Sequence, residues 1–140
     1  MESPEYRLEI AAAADDIDEL GHVSNLVFLR WVLDAARAHS NAVGYDHPAY
    51  VALGAVFVVR RHEIEYLRPV YGGDRIALTT WVESWKAASS VRGTSIKRIA
   101  DGIEVARAST QWAFVALEGG RPRRVPEVVI AAFASEPKEK

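Results

Sequence analysis

Asp16 and Asp18 stand one residue apart, followed by Gly21, His22, and then Ser24 and Asn25, both residue types that start helices well. A carboxylate in the loop just before a helix can act on an electrophilic carbonyl in two ways. It can be the base that activates a water, or it can be the nucleophile itself. The free N–H groups of the first helical turn supply the complement, because they stabilise negative charge on an oxygen set in front of them. An acid in this position also serves as an N-cap or as a solvated loop residue, so type and spacing alone leave the roles open. His22 is a second candidate base, since histidine is the residue type whose unperturbed pKa lies nearest neutrality, while a histidine that fixes the loop or packs under a sheet would occupy the same place. Asp16 is expected to hold the loop through side-chain-to-backbone hydrogen bonds.

Other chemistries lack their residues. The chain contains no cysteine, which excludes disulfides and thiolate metal sites. His22, His39, His47 and His62 are scattered with no i, i+4 pair, so no metal is expected. No G-x-S-x-G elbow occurs, and Gly72-Gly73 and Gly119-Gly120 read as turns. A net charge of -2 gives no electrostatic case for nucleic acid or an anionic membrane surface. The start of the sequence lacks a basic and apolar leader, and no run of about 18 apolar residues spans a bilayer. Cytoplasmic localisation is the expectation.

The elements that must position the acids follow from pattern. Leu26 to Ala38 is apolar except for a thin stripe of Arg30, Asp34 and Arg37, continued by Asn41. This spacing predicts a helix from Ser24 or Asn25 to Val43–Gly44, about 18 residues or roughly 27 Å, that must be covered on most sides. The stripe residues are expected to form a ladder of charge pairs. Strands are predicted at Tyr6–Ala12, Val56–Tyr66, Arg75–Trp85, Ser90–Ala100 and Glu104–Leu117, with Trp81 and Trp85 sharing one face of the third. Tyr45–Leu53, interrupted by Pro48, reads as a loop, and Glu127–Ala134 as a short apolar segment. Tight turns between successive strands imply an antiparallel sheet. The fold class is therefore α+β, five strands wrapped around one long central helix. One domain over residues 1–134 is expected, with a charged tail at 135–140 that frays.

Asp16-Ile-Asp18-Glu-Leu-Gly21-His22-Val-Ser-Asn25-Leu-Val-Phe28, followed by Trp31, Asp34 and Ala36-Arg37, resembles a known signature. It is the D-x-D-x-x-G-H-V-N-N-x-x-Y/F…E/D-x-A-R pattern of hotdog-fold acyl-CoA thioesterases of the 4-hydroxybenzoyl-CoA thioesterase group. Ile64–Asp74, Trp85–Arg98 and Arg123–Pro126 resemble the downstream segments in the same order. The resemblance implies hydrolysis of a small-to-medium acyl or aroyl thioester to the acid and free CoA. It implies Asp18 as base or nucleophile, the backbone N–H of Asn25 as carbonyl donor, and Gly21 and His22 as the turn giving access to it. Some relatives carry histidine where this chain has Asn25, which favours Asp18 acting alone. No cofactor is implied beyond CoA as part of the substrate. The phosphates of CoA call for cations: Arg60, Arg61, Lys86, Arg121 and Arg123 are the principal candidates, with Arg92 and Arg124 beside them. Phe28, Trp31 and Phe57 are candidates for the acyl pocket, with Trp81 and Trp85. The family further implies a homodimer or a dimer of dimers, with a continuous ten-stranded sheet and sites at the dimer interface. A non-catalytic acyl-CoA-binding protein and a dehydratase on the same fold are the alternatives.

Overall fold

The computed structural model describes residues 2–137; residues 138–140, the end of the tail expected to fray, lie outside them. The elements run β1 (Tyr6–Ala11), α1 (Asn25–Ala42), α2 (His47–Leu53), β2 (Ala55–Tyr66), β3 (Arg75–Lys86), β4 (Ser89–Arg98), β5 (Glu104–Ala116) and α3 (Glu127–Ala134). The strands form one antiparallel sheet in the order β1-β3-β4-β5-β2. This sheet packed on α1 is the hotdog fold.

Local chemistry sets both ends of α1. The Ser24 side chain accepts from Leu26 N at 3.2 Å and makes Ser24 the N-cap, with Asn25 as the first helical residue. Gly44, at φ +97°, follows Val43 and lets the chain turn out, with Tyr45 N donating to the Ser40 carbonyl at 2.8 Å. Between these ends Val27, Phe28, Trp31, Val32, Ala35, Ala36 and His39 are buried. They meet the inner face of the sheet at Ile76, Leu78, Ile96, Ala106 and Ala108. A second cluster of Tyr50, Val82, Phe114, Val129 and Phe133 fills the space under α2 and α3.

Two stretches depart from expectation. Tyr45–Leu53 contains helix α2 rather than a loop, because Pro48 lies in its first turn, where a missing N–H costs nothing. The Asp46 carboxylate caps it by accepting from Ala49 N at 3.0 Å. On β3 the register with β4 shifts between Val82 and Ser84. That bulge inserts one residue and moves Trp85 away from the face it was expected to share with Trp81. Trp85 instead packs inward, with ring centroids 5.8 Å from Phe133 and 6.2 Å from Phe57. The segment read as short and apolar, Glu127–Ala134, is the helix α3, with Val129 and Phe133 buried.

On the outer face of the sheet the Trp81 indole lies across Gly93, and a Cβ there would stand 2.5 Å from the ring. Gly93→Ala is therefore expected to push Trp81 off its strand neighbour and destabilise the fold by about 1–3 kcal/mol. A lower denaturation midpoint at unchanged m-value would register it.

Candidate active site

The loop carrying the two acids is a small hairpin. Ile17 and Val23 pair across it. Asp18 N donates to the His22 carbonyl at 2.8 Å and Gly21 N to the Asp18 carbonyl at 3.0 Å. Gly21, at φ +81°, takes the left-handed position that closes the turn. The hairpin is tied down on both sides, by Val23 N to the Val70 carbonyl at 2.8 Å and by Ser24 N to the Asp16 carbonyl at 2.9 Å.

The two carboxylates have opposite surroundings. Asp16 is 5% exposed. It accepts from Ala13 N at 2.9 Å and from Arg30 Nη2 at 2.8 Å. Burial pushes its carboxyl up, but the Arg30 and Ala13 hydrogen bonds outweigh that and hold it below the ordinary aspartate value. Asp16 thus holds the loop as expected. Arg30 is committed to it across 14 residues of chain and not to the ladder expected with Asp34. Asp18 is exposed. Its Oδ1 accepts from Leu20 N at 2.9 Å, which fixes the carboxylate by its own turn, and its Oδ2 accepts nothing among the described residues. The N–H of Asn25 has no intrahelical acceptor at its position, and it donates to no other described residue. His22 packs edge-on against Tyr71, with centroids 5.3 Å apart.

Asp18, Gly21, His22 and Asn25 are therefore brought together on one loop and helix start. Asp18, Gly21 and Asn25 are exposed, beside Leu20 and Leu26, which are 79% and 76% exposed. Phe28 and Trp31 lie beneath, buried edge to face at 5.4 Å, with Tyr66 against Phe28. Among the described residues no three His, Cys, Asp or Glu side chains gather as a ligand set for a metal ion.

The candidate cations are elsewhere. Arg60 is exposed at a bulge in β2, and Arg61 pairs with Glu63 at 2.7 Å. Lys86 ends β3, and Arg121 and Arg123 follow β5; the Arg123 guanidinium donates to the Gly54 carbonyl at 3.2 Å. These three occupy the end of the sheet where β2 begins, whereas the Asp18 loop adjoins the end where β3 begins. A strand of this length separates the ends by on the order of 35 Å. Within one chain the fold does not bring them to Asp18. Phe57 also belongs to the far end, where it lines a cavity with Trp85. Arg92 is not a surface cation at all: it is 5% exposed and held against His39. Its register beside Thr94 and Ile96, alternate residues of β4 that face inward, is the sequence signal that would have found it.

Residues 12–133 match the model of the thioesterase-like superfamily. No curated protein matches the chain in sequence. Solved structures match it in fold. A 1,4-dihydroxy-2-naphthoyl-CoA thioesterase from Synechocystis superposes with a TM-score of 0.85 at 18% identity, over 93% of this chain and 96% of that one. A DHNA-CoA thioesterase from Staphylococcus aureus gives 0.79 at 19% identity, over 86% and 80%. A gentisyl-coenzyme A thioesterase gives 0.80 at 15% identity, over 93% and 100%.

The Asp16 contacts make a stability prediction with a definite sign. A folded-state pKa below the unfolded value contributes stability above about 3.8 and loses it as pH falls through the folded value. Asp16→Ala is expected to cost about 1–3 kcal/mol at pH 7, from the unpaired Ala13 N–H and Arg30. The gap between variant and wild type should narrow below pH 3.8, as read from urea midpoints across pH.

Proposed function

The chain belongs to the thioesterase-like superfamily, and on that footing we propose that it is an acyl-CoA thioesterase. It takes a small-to-medium acyl or aroyl thioester and water, and releases the carboxylic acid and the free thiol of CoA. Asp18 acts as the base that removes a proton from the attacking water, or attacks the carbonyl carbon itself to give an anhydride that water then opens. The Asn25 N–H polarises the carbonyl oxygen. A single donor of this kind is typically worth about 2.7–4 kcal/mol in the transition state. The observation that carries this reading is the pairing of a carboxylate oxygen with no protein partner, on Asp18, with an unclaimed N–H on Asn25. Both stand on a loop locked by Asp16.

The functional unit in this reading is a homodimer or a dimer of dimers. β2 is an edge strand of 12 residues with Val58 and Val59 exposed. Antiparallel pairing of β2 with a second copy would set the Ala55 end of one chain against the Tyr66 end of the other. Lys86, Arg121 and Arg123 of one copy would then approach the Asp18 loop of the other, which supplies the cations a single chain lacks there. Coenzyme A is part of the substrate, and no resident cofactor is required. Among the described residues no helix is long and apolar enough to cross a membrane, and the cytoplasm is the compartment this reading assigns.

A thiol-release assay over a panel of acyl- and aroyl-CoA esters tests the reading. Wild type should hydrolyse at least one of them. Asp18→Asn should lower kcat by about a hundredfold or more with its melting temperature unchanged. Wild-type turnover by Asp18→Asn would overturn the mechanism, and binding of CoA esters without thiol release would overturn the activity. Arg121→Glu should raise KM for CoA esters and leave kcat in place.

A further inference from the structure

The C-terminal half of α1 borders a cavity of about 380 Å³, at the opposite end of the sheet from Asp18. Its apolar walls include Phe57, Trp85, Trp112 and Phe133, and exposed Arg37, Asn41, Asp46 and His47 stand at its mouth. Arg92 lines it from β4. The Arg92 Nη1 donates to His39 Nδ1 at 2.8 Å and to Thr80 Oγ1 at 3.1 Å, and the guanidinium carbon stands 5.6 Å from the Phe133 ring centroid. Among the described residues no carboxylate comes within ion-pair distance of it. Asp46, the acid on the same cavity, is exposed and caps α2. Nε and Nη2, which form one edge of the guanidinium, have no hydrogen-bond partner in the described chain.

Burial pushes the Arg92 guanidinium down only to about 10, so it is charged at neutral pH. Burial and then the charge of Arg92 push His39 down to about 3, so the imidazole is neutral and accepts at Nδ1. His39 Nε2 and Trp112 Nε1 are also buried without partners. A buried cation with no counter-charge is costly to the folded state. An anion in the cavity removes that cost.

We propose that this cavity binds a small organic monoanion, a single-ring aromatic carboxylate, with its two oxygens on the Nε–Nη2 edge of Arg92 and its ring among Trp85, Phe57 and Phe133. The planar fork of a guanidinium matches a carboxylate in bidentate geometry. Arg92 is the buried cation on the cavity, with Arg37 exposed at the mouth, and a monoanion among the apolar walls balances the buried charge. The volume exceeds the roughly 150 Å³ that holds a benzene ring, so a one-ring acid enters with room to spare. The inference stands apart from the thioester reading, since binding requires no turnover.

Titration calorimetry of the full chain with benzoate, and with benzamide as the neutral isostere, tests it at constant ionic strength. Benzoate should bind saturably, once per chain, and benzamide about tenfold more weakly or worse. Arg92→Met should weaken benzoate by a similar factor; it removes a lone buried charge but leaves His39 Nδ1 unpaired, so the comparison is made on variant protein shown to be folded by its melting transition. Equal binding of benzoate and benzamide, no saturable benzoate binding, or undiminished binding by folded Arg92→Met would each overturn the proposal. Should Arg92→Met fail to fold, the comparison of the two ligands on wild type decides.

Discussion

α1 is apolar over so much of its circumference that it has no stable place except under cover, and one antiparallel sheet supplies that cover. Everything else in the molecule is a consequence of how that rod is wrapped. A helix laid along a sheet has its side chains hidden, but its two ends must emerge at the two ends of the strands. The ends are also where backbone groups lack partners. Polar chemistry is thereby pushed to the poles: a free N–H at Asn25 beside Asp18 at one, and Arg92 with His39 near the other.

The pole at Asn25 depends on a division of labour between two acids that look alike in the sequence. Asp16 is buried and saturated, with Ala13 N and Arg30 on its carboxylate and Ser24 N on its carbonyl. It fixes where the helix begins. Asp18 is left with one oxygen oriented by the turn and one uncommitted. In the proposed mechanism a carboxylate already held in place keeps its advantage, and the Leu20 N–H on Asp18 Oδ1 supplies that order.

How much of this was legible depended on how local the signal was. The ends of α1 were readable because Ser24 and Gly44 act through their immediate neighbours. β5 was readable because Ala106, Ala108 and Thr110 alternate with Arg107, Ser109 and Gln111 and the pairing preserves that phase. The inward turn of Trp85 was not, because the bulge that produces it exists only in the register between β3 and β4. Arg30 illustrates the same limit: a ladder with Asp34 is what the helix alone favours, and a buried acid 14 residues upstream competes better than a half-buried one. Pro48 was misread for a different reason, since proline breaks a helix only beyond its first turn. Arg92 was grouped with surface cations by its type, when its place on the inner face of β4 had already removed it from the surface.

The asymmetry between the poles bears on the proposed homodimer. At the far pole a cavity has walls; at the near pole Asp18 is exposed, and Leu20 and Leu26 stand out into water beside it. Exposed leucines at the tip of a turn and at the start of a helix contribute nothing to the stability of the chain that carries them. They gain only if another surface covers them. The same covering would take water away from Asp18 and Asn25, and an ion and a dipole act more strongly on a carbonyl when the medium between them is less polar. The free edge of β2 is the one long strand edge beside Tyr66, the residue that packs on Phe28 just under this loop. In the proposed homodimer, growth of the sheet across that edge brings the second copy up to this end of the strand. A cover that left this edge unpaired would leave the backbone groups of a 12-residue strand without partners there.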